Sequence, residues 1–320
     1  MVVFLLAMTA ATVQGQELSF LAGGMKPTAG DDSSYAWQIE YLHELGEHSA
    51  AALSYLNEGH VTDHHRDGIA LQLWGGTHLY DRRLALAVGV GPYFYFDTNG
   101  NVADGTFQNE HDWKGMASLS ATWHLENRLL LQFRTNWVVI GSNYNSVSAV
   151  AGIGYQMDST AVPGPVADVP PPVKMTTGRE LTLFAGETIV NSFESESSIA
   201  TSIEYRHGLF RHVDWTVAWL YEGNNRLIRR NGLTTQLWAG REFLDDRLAI
   251  GVGGGAYFSL DHYSDQLQGT VKNRTVSGIV SLTGSYRFLP EWDVRTTWNR
   301  VVTNYSRDTD VLLGGIGYRF

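Results

Sequence analysis

Residues Leu84 to Asp97 read LALAVGVGPYFYFD, and their alternation decides the fold. Leu84, Leu86, Val88, Val90, Pro92, Phe94 and Phe96 fall on one side of an extended chain, and Ala85, Ala87, Gly89, Gly91, Tyr93, Tyr95 and Asp97 on the other. In a soluble sandwich the bulky apolar face is buried and its opposite carries charge. Here the opposite face is mostly Ala and Gly. A cramped face backed by a greasy one suits a narrow β-barrel whose outside touches lipid and whose inside is nearly filled.

The stretch recurs as Leu248 to Asp261, LAIGVGGGAYFSLD, an offset of 164 residues between Leu84 and Leu248. The offset holds without a gap from Ile39 to Asp97: Ile39, Glu40 and Tyr41 return as Ile203, Glu204 and Tyr205, and Gln72, Leu73 and Trp74 as Gln236, Leu237 and Trp238. Towards each end GIGY at Gly152 to Tyr155 returns at Gly315 to Tyr318. The chain is a tandem duplication of a unit far longer than a solenoid repeat.

Its 320 residues suit two domains on length alone. After the N-terminus no apolar run is long enough for a membrane helix, which leaves a membrane barrel open because only every second residue of a strand need be apolar. The 38 aromatic residues and 34 glycines against 8 prolines fit strands, tight interiors and interfacial girdles. With no cysteine, neither a disulfide nor a lipid-modified thiol can hold the chain at a membrane. The net charge of −10 argues against nucleic acid as a partner.

MVVFLLAMTAATVQGQ at the start reads as a secretory signal over residues 1–16, lacking the usual basic residues. Residues 17–158 then divide into eight strand-like segments joined by alternately long and short connections, and residues 180–320 repeat the plan. Long connections such as MKPTAGDDSS, HVTDHHRD and TNGNVADGTFQNEHD alternate with short ones such as GEHS, YDRR and ENR, the pattern of a barrel with one rim facing the periplasm and one facing outside. Residues 159–179 hold five prolines and form a semi-rigid spacer that cannot pair in a ladder. The fold class is therefore all-β, a transmembrane antiparallel up-and-down barrel. Two tandem eight-stranded barrels are favoured over one of sixteen strands, because the inward positions are small and a single barrel needs no spacer between its eighth and ninth strands.

The alternating segments, the loop asymmetry, the signal-like start and the terminal GIGYRF resemble the small eight-stranded outer-membrane barrels of Gram-negative bacteria, of the OmpA, OmpX and PagL kind. The resemblance covers each unit throughout. It implies location in the bacterial outer membrane, contact with outer-membrane lipids and lipopolysaccharide, and insertion by the barrel-assembly machinery. The role expected is structural, or interaction at the surface through loops whose ligand the sequence does not reveal. A lipid A deacylase-like hydrolase and a sixteen-stranded pore are the alternatives. A PagL-like deacylase needs a His beside a Ser near the end of its seventh strand. TTWNRVVTNYSRDTD in the second unit has Ser306 there but no histidine, so the chain departs from that pattern.

Two sets of residues carry candidate chemistry. By parity Glu40, Glu58, Arg66 and Gln72 point inward, as do Glu204, Glu222, Arg230 and Gln236, and a carboxylate in a narrow lumen must be paired. An Arg on the next strand of the same hairpin is the natural partner, making an ionic plug. In NEGHVTDHHRDG, His60, Asp63, His64 and His65 lie close enough to bind a transition metal or to serve as a base with its orienter. The second unit lacks them, so the cluster is private to one unit, and on an external loop, where polar residues are expected anyway, the alternative to metal binding or catalysis is a solvated loop. Nothing in the sequence calls for a cofactor.

Overall fold

The computed structural model describes residues 15–157 and 178–320, apart from positions 30, 62–63, 102–105, 126, 140–144, 193, 211, 245 and 266–268. Most of the signal segment read over residues 1–16 and of the spacer read over 159–179 lies outside the described residues, as does Asp63.

Among the described residues the first unit consists of β1 Gln16–Pro27, β2 Ser34–Gly46, β3 Ser49–Val61, β4 His64–Leu79, β5 Leu84–Asn101, β6 Thr106–His124, β7 Leu129–Val139 and β8 Ser146–Gln156. The second consists of β9 Arg179–Val190, β10 Ser197–Phe210, β11 Val213–Asn224, β12 Arg229–Phe243, β13 Leu248–Asp265, β14 Gly269–Arg287, β15 Trp292–Val302 and β16 Thr309–Arg319. Each set pairs antiparallel in chain order and closes on itself. The closures decide the architecture: β1 pairs β8 from Glu17↔Gln156 to Pro27↔Ser146, and β9 pairs β16 from Glu180↔Arg319 to Val190↔Thr309. Two eight-stranded barrels result, and the sixteen-stranded alternative is overturned. A first strand already bonded along both edges has no edge left to offer a ninth.

The strands extend beyond the alternating apolar runs that announce them. β6 begins at Thr106, well before the apolar run at Met116, and β4 takes in His64 to Asp67. Ladder hydrogen bonds come from the backbone and continue into polar sequence wherever a hairpin partner is present. HVTDHHRD is thus mostly hairpin rather than loop.

Both units carry a bulge at the same place. The register slips between Asn57 and His60 in one and between Tyr221 and Asn224 in the other, and Gly59 and Gly223 take φ of +68° and +91°. A side chain fits neither position: a Cβ on Gly59 would stand 2.5 Å from the Tyr35 carbonyl, and one on Gly223 would stand 2.6 Å from that of Ile199. The bulges sit immediately after Glu58 and Glu222. Gly59→Ala and Gly223→Ala are each expected to cost about 1–3 kcal/mol, read as a lowered urea midpoint for unfolding from detergent micelles.

Inward positions are filled unevenly. Trp74 and Trp238 lie across their lumens, and Gly89 and Gly253 leave room for them, since a Cβ at either glycine would come within 2.5–2.6 Å of the indole. An Arg stacks on each indole, Arg134 Cζ at 4.4 Å from the Trp74 ring centre and Arg206 Cζ at 4.5 Å from that of Trp238.

Candidate functional site

The lumen polar residues fall into layers set by position along β4 and β12. Nearest the long-loop end, Glu58 and Arg66 are buried and face each other from β3 and β4. Arg66 Nε donates to Glu58 Oε2 at 2.5 Å and Nη2 donates to Oε1 at 3.0 Å. Ser146 accepts from Arg66 at 2.8 Å and donates to Glu58. The second barrel repeats this with Arg230 Nε donating to Glu222, and Thr309 accepting from Arg230 at 2.8 Å. A bidentate or bridged pair of this kind satisfies charges that the interior cannot solvate.

In the second barrel the loop after β15 covers this layer. Arg230 Nη1 donates to Tyr305 Oη and to the Arg307 carbonyl, each at 3.1 Å, and Tyr305 donates to Asp261 at 2.8 Å. Burial pushes the Tyr305 hydroxyl up to about 12, against the opposing pull of Arg230. It stays protonated and able to make both bonds at neutral pH.

The middle layer is neutral. Gln72 Nε2 donates to Ser118 at 3.0 Å, Ser118 donates to Asn136 at 2.8 Å, and Asn136 donates to Gln38 at 3.0 Å. In the second barrel Ser281 Oγ lies 2.8 Å from Gln236 Oε1 and 2.6 Å from Asn299 Oδ1.

The third layer departs from the hairpin rule. Glu40 is not held by Arg66; its partner is Arg134 on β7, whose Nη1 and Nη2 both donate to it. Glu204, at the corresponding place, pairs with Arg206 two residues along its own strand, Nη2 donating at 3.0 Å, while Arg206 Nη1 reaches Asp214 at 3.3 Å. The physical reason is geometric. In a narrow barrel the nearest inward group can stand on any strand, so sequence neighbourhood does not select the partner. Arg134 and Arg206 went unnoticed in the sequence, where the 164-residue offset already places Leu42 opposite Arg206 as the unequal position.

At the short-turn end the barrels diverge most. In the second, Glu180 accepts from Arg295 Nη2 at 2.8 Å and lies 3.2 Å from Arg319 Nε, which also reaches Asp293 at 3.3 Å. In the first, Glu17 meets the ring of His124, Nε2 at 3.0 Å from Oε1, and Glu44 accepts from the Gly15 backbone N–H at 3.2 Å.

The histidine cluster divides in two. His60 and His65 are opposite each other across the β3–β4 hairpin, with rings stacked at 4.0 Å. His64 turns the other way and places Nδ1 2.9 Å from Asp97 Oδ2. The three imidazoles therefore do not converge, and among the described residues no group of three or more metal-ligating side chains is assembled. Ser34 accepts the His60 backbone N–H at 2.8 Å.

No family model matches the chain, and no curated protein does. Among solved structures it is similar to the N-terminal β-barrel domain of OprF from Pseudomonas aeruginosa, at 14% identity over 45% of this chain and 98% of that one, TM-score 0.36. It is similar to Neisserial surface protein A at 12% identity over 45% and 96%, TM-score 0.36. It is also similar to the CymD monoaromatic hydrocarbon channel at 10% identity over 98% and 89%, TM-score 0.27. The strand pairing of the chain itself carries the fold: small eight-stranded antiparallel barrels, twice over.

Proposed function

We propose that the chain is an integral protein of the bacterial outer membrane, exported by its N-terminal segment, with a structural or surface-interaction role exercised through its long-loop ends. The observation that supports this is an inversion of burial. Glu40, Glu58, Arg66, Arg134, Glu222 and Arg230 are at most 2% exposed, while Leu73, Val90 and Ile153 of the first barrel and Leu183, Ile203 and Ile316 of the second are 54–64% exposed. Water-soluble proteins bury apolar groups and rarely leave wide apolar belts bare, so such surfaces call for acyl chains around them. Outer-membrane lipids and lipopolysaccharide are the partners this reading assigns, with the barrel-assembly machinery acting during insertion.

The filled lumens favour a non-channel role. Stacked Arg–Trp pairs and bridged ion pairs occupy each interior, which leaves function to the surfaces beyond the lipid, including the His60–His65 hairpin. Expression of the full chain in a Gram-negative host tests the location. The mature protein is expected in the outer-membrane fraction, resistant to carbonate and released only by detergent. Recovery as a detergent-free soluble protein overturns the reading.

A further inference from the structure

The bulge after Glu58 sets two of the three clustered histidines side by side on one face of the first barrel. Gly59 takes φ of +68°, the register slips there, and His60 and His65 become direct cross-strand partners. The His60 N–H donates out of the hairpin, to Ser34 Oγ at 2.8 Å. The pair is therefore of the non-hydrogen-bonded kind, in which opposed side chains stand closer together. Their rings are stacked with centres 4.0 Å apart and planes at 25°, and the Tyr35 ring stands edge-on to His60 at 6.3 Å.

Comparison with the second barrel separates these side chains from the fold. The same bulge, at Gly223, pairs Asn224 with Arg229. An amide and a guanidinium stand there in place of two imidazoles, so the bulged hairpin forms without histidine. In the first barrel His60 is exposed and His65 half-buried. The period of two puts Asp67 on the same face of β4 as His65 and turns His64 and Arg66 to the lumen, where they meet Asp97 and Glu58. The outer face of this hairpin thus joins two imidazoles with a carboxylate residue further along, while the neighbouring guanidinium is spent inside.

We propose that His60 and His65 together bind a late first-row divalent ion, copper(II) foremost. Neutral imidazole suits copper, nickel and zinc, and copper(II) binds a given nitrogen site most tightly of that series. Metal–nitrogen bonds of about 2.0–2.1 Å place two nitrogens on one ion about 3 Å apart. Rings with centres 4.0 Å apart reach that spacing by turning about their Cβ–Cγ bonds, a soft torsion, while the backbone stays in place. Each ring gives one nitrogen lone pair, two metal-bound waters leave, and any proton on a ligating nitrogen is released. The ion keeps its oxidation state and holds water at its remaining positions. The site gives a ligand class to the long-loop surface of the proposed function, and its binding in micelles does not depend on where the cell places the chain.

The test adds copper(II) to the full chain in maltoside micelles at neutral pH, with affinity read by titration calorimetry and the ligands by electron paramagnetic resonance. Saturable binding is expected, with nitrogen splitting from two imidazoles. His60→Gln and His65→Gln are each expected to weaken binding at least tenfold and to remove one of the two nitrogens. His64→Gln, which alters a ring turned to the lumen, is expected to change the affinity less than twofold. Absence of saturable binding, a spectrum without two imidazole nitrogens, a loss smaller than tenfold in either His60→Gln or His65→Gln, or an equally large loss in His64→Gln each overturns the proposal. The nitrogen count on the unaltered chain decides it even if a variant fails to fold.

Discussion

Glu222→Leu is expected to destabilise the second barrel by about 3–5 kcal/mol, whereas the double variant Glu222→Leu/Arg230→Met recovers most of that loss. Arg230 and Glu222 are both fully buried, and Arg230 also serves Thr309, Tyr305 and the Arg307 carbonyl. Removing the carboxylate alone leaves a guanidinium in the lumen with only neutral oxygens and the more distant Asp261, 4.0 Å away, to balance it. Removing both partners removes the uncompensated charge, and what remains is the smaller loss of packing and hydrogen bonds. Urea unfolding from detergent micelles, followed by tryptophan fluorescence, reads both variants. Equal losses for the single and double variants would show that the pair contributes through shape rather than charge. The parallel variants Glu58→Leu and Glu58→Leu/Arg66→Met are expected to behave alike, because the first barrel builds the same bridge with Ser146 in place of Thr309.

What the sequence made legible follows the range of each interaction. The period of two is local, so Leu84 to Asp97 discloses its two faces directly. The bridge between Glu58 and Arg66 spans one hairpin, and their eight-residue separation brings them face to face once the strands are drawn. Barrel closure is not local: nothing within β1 states that Leu18 meets Tyr155, and only the small inward residues and the proline-rich spacer pointed to two closures. The partner of Glu40 lies 94 residues away on β7, across the lumen, at a distance no pattern of spacing encodes. The histidines were legible as a cluster but not as its geometry. Whether they converge depends on the bulge at Gly59, which lets His60 stand opposite His65 while His64 turns to Asp97. The bulge itself is marked in the sequence only by a glycine that recurs as Gly223.

The duplication also predicts which substitutions rescue one another. Both barrels need one guanidinium against the lumen Trp and the adjacent Glu, and they obtain it from different strands. Arg134 comes from β7, where the second barrel has Thr297; Arg206 comes from β10, where the first has Leu42. Asp214, the second acid that Arg206 serves, corresponds to Ala50. Arg206→Leu alone strands Glu204 and Asp214 in the lumen and is expected to cost about 3–5 kcal/mol. Thr297→Arg alone is also expected to destabilise, since it forces a second guanidinium into an interior that is already full and breaks the Thr283–Thr297 contact at 3.0 Å. Combined with Asp214→Ala the two changes reproduce the first barrel's arrangement, and the triple variant is expected to regain at least half of the stability lost in Arg206→Leu. Because the three positions share one cluster, their effects should be strongly non-additive. If the losses simply add, each Arg is fixed to its strand by surroundings other than the Trp and Glu, and the two barrels are not interchangeable solutions to the same charge balance.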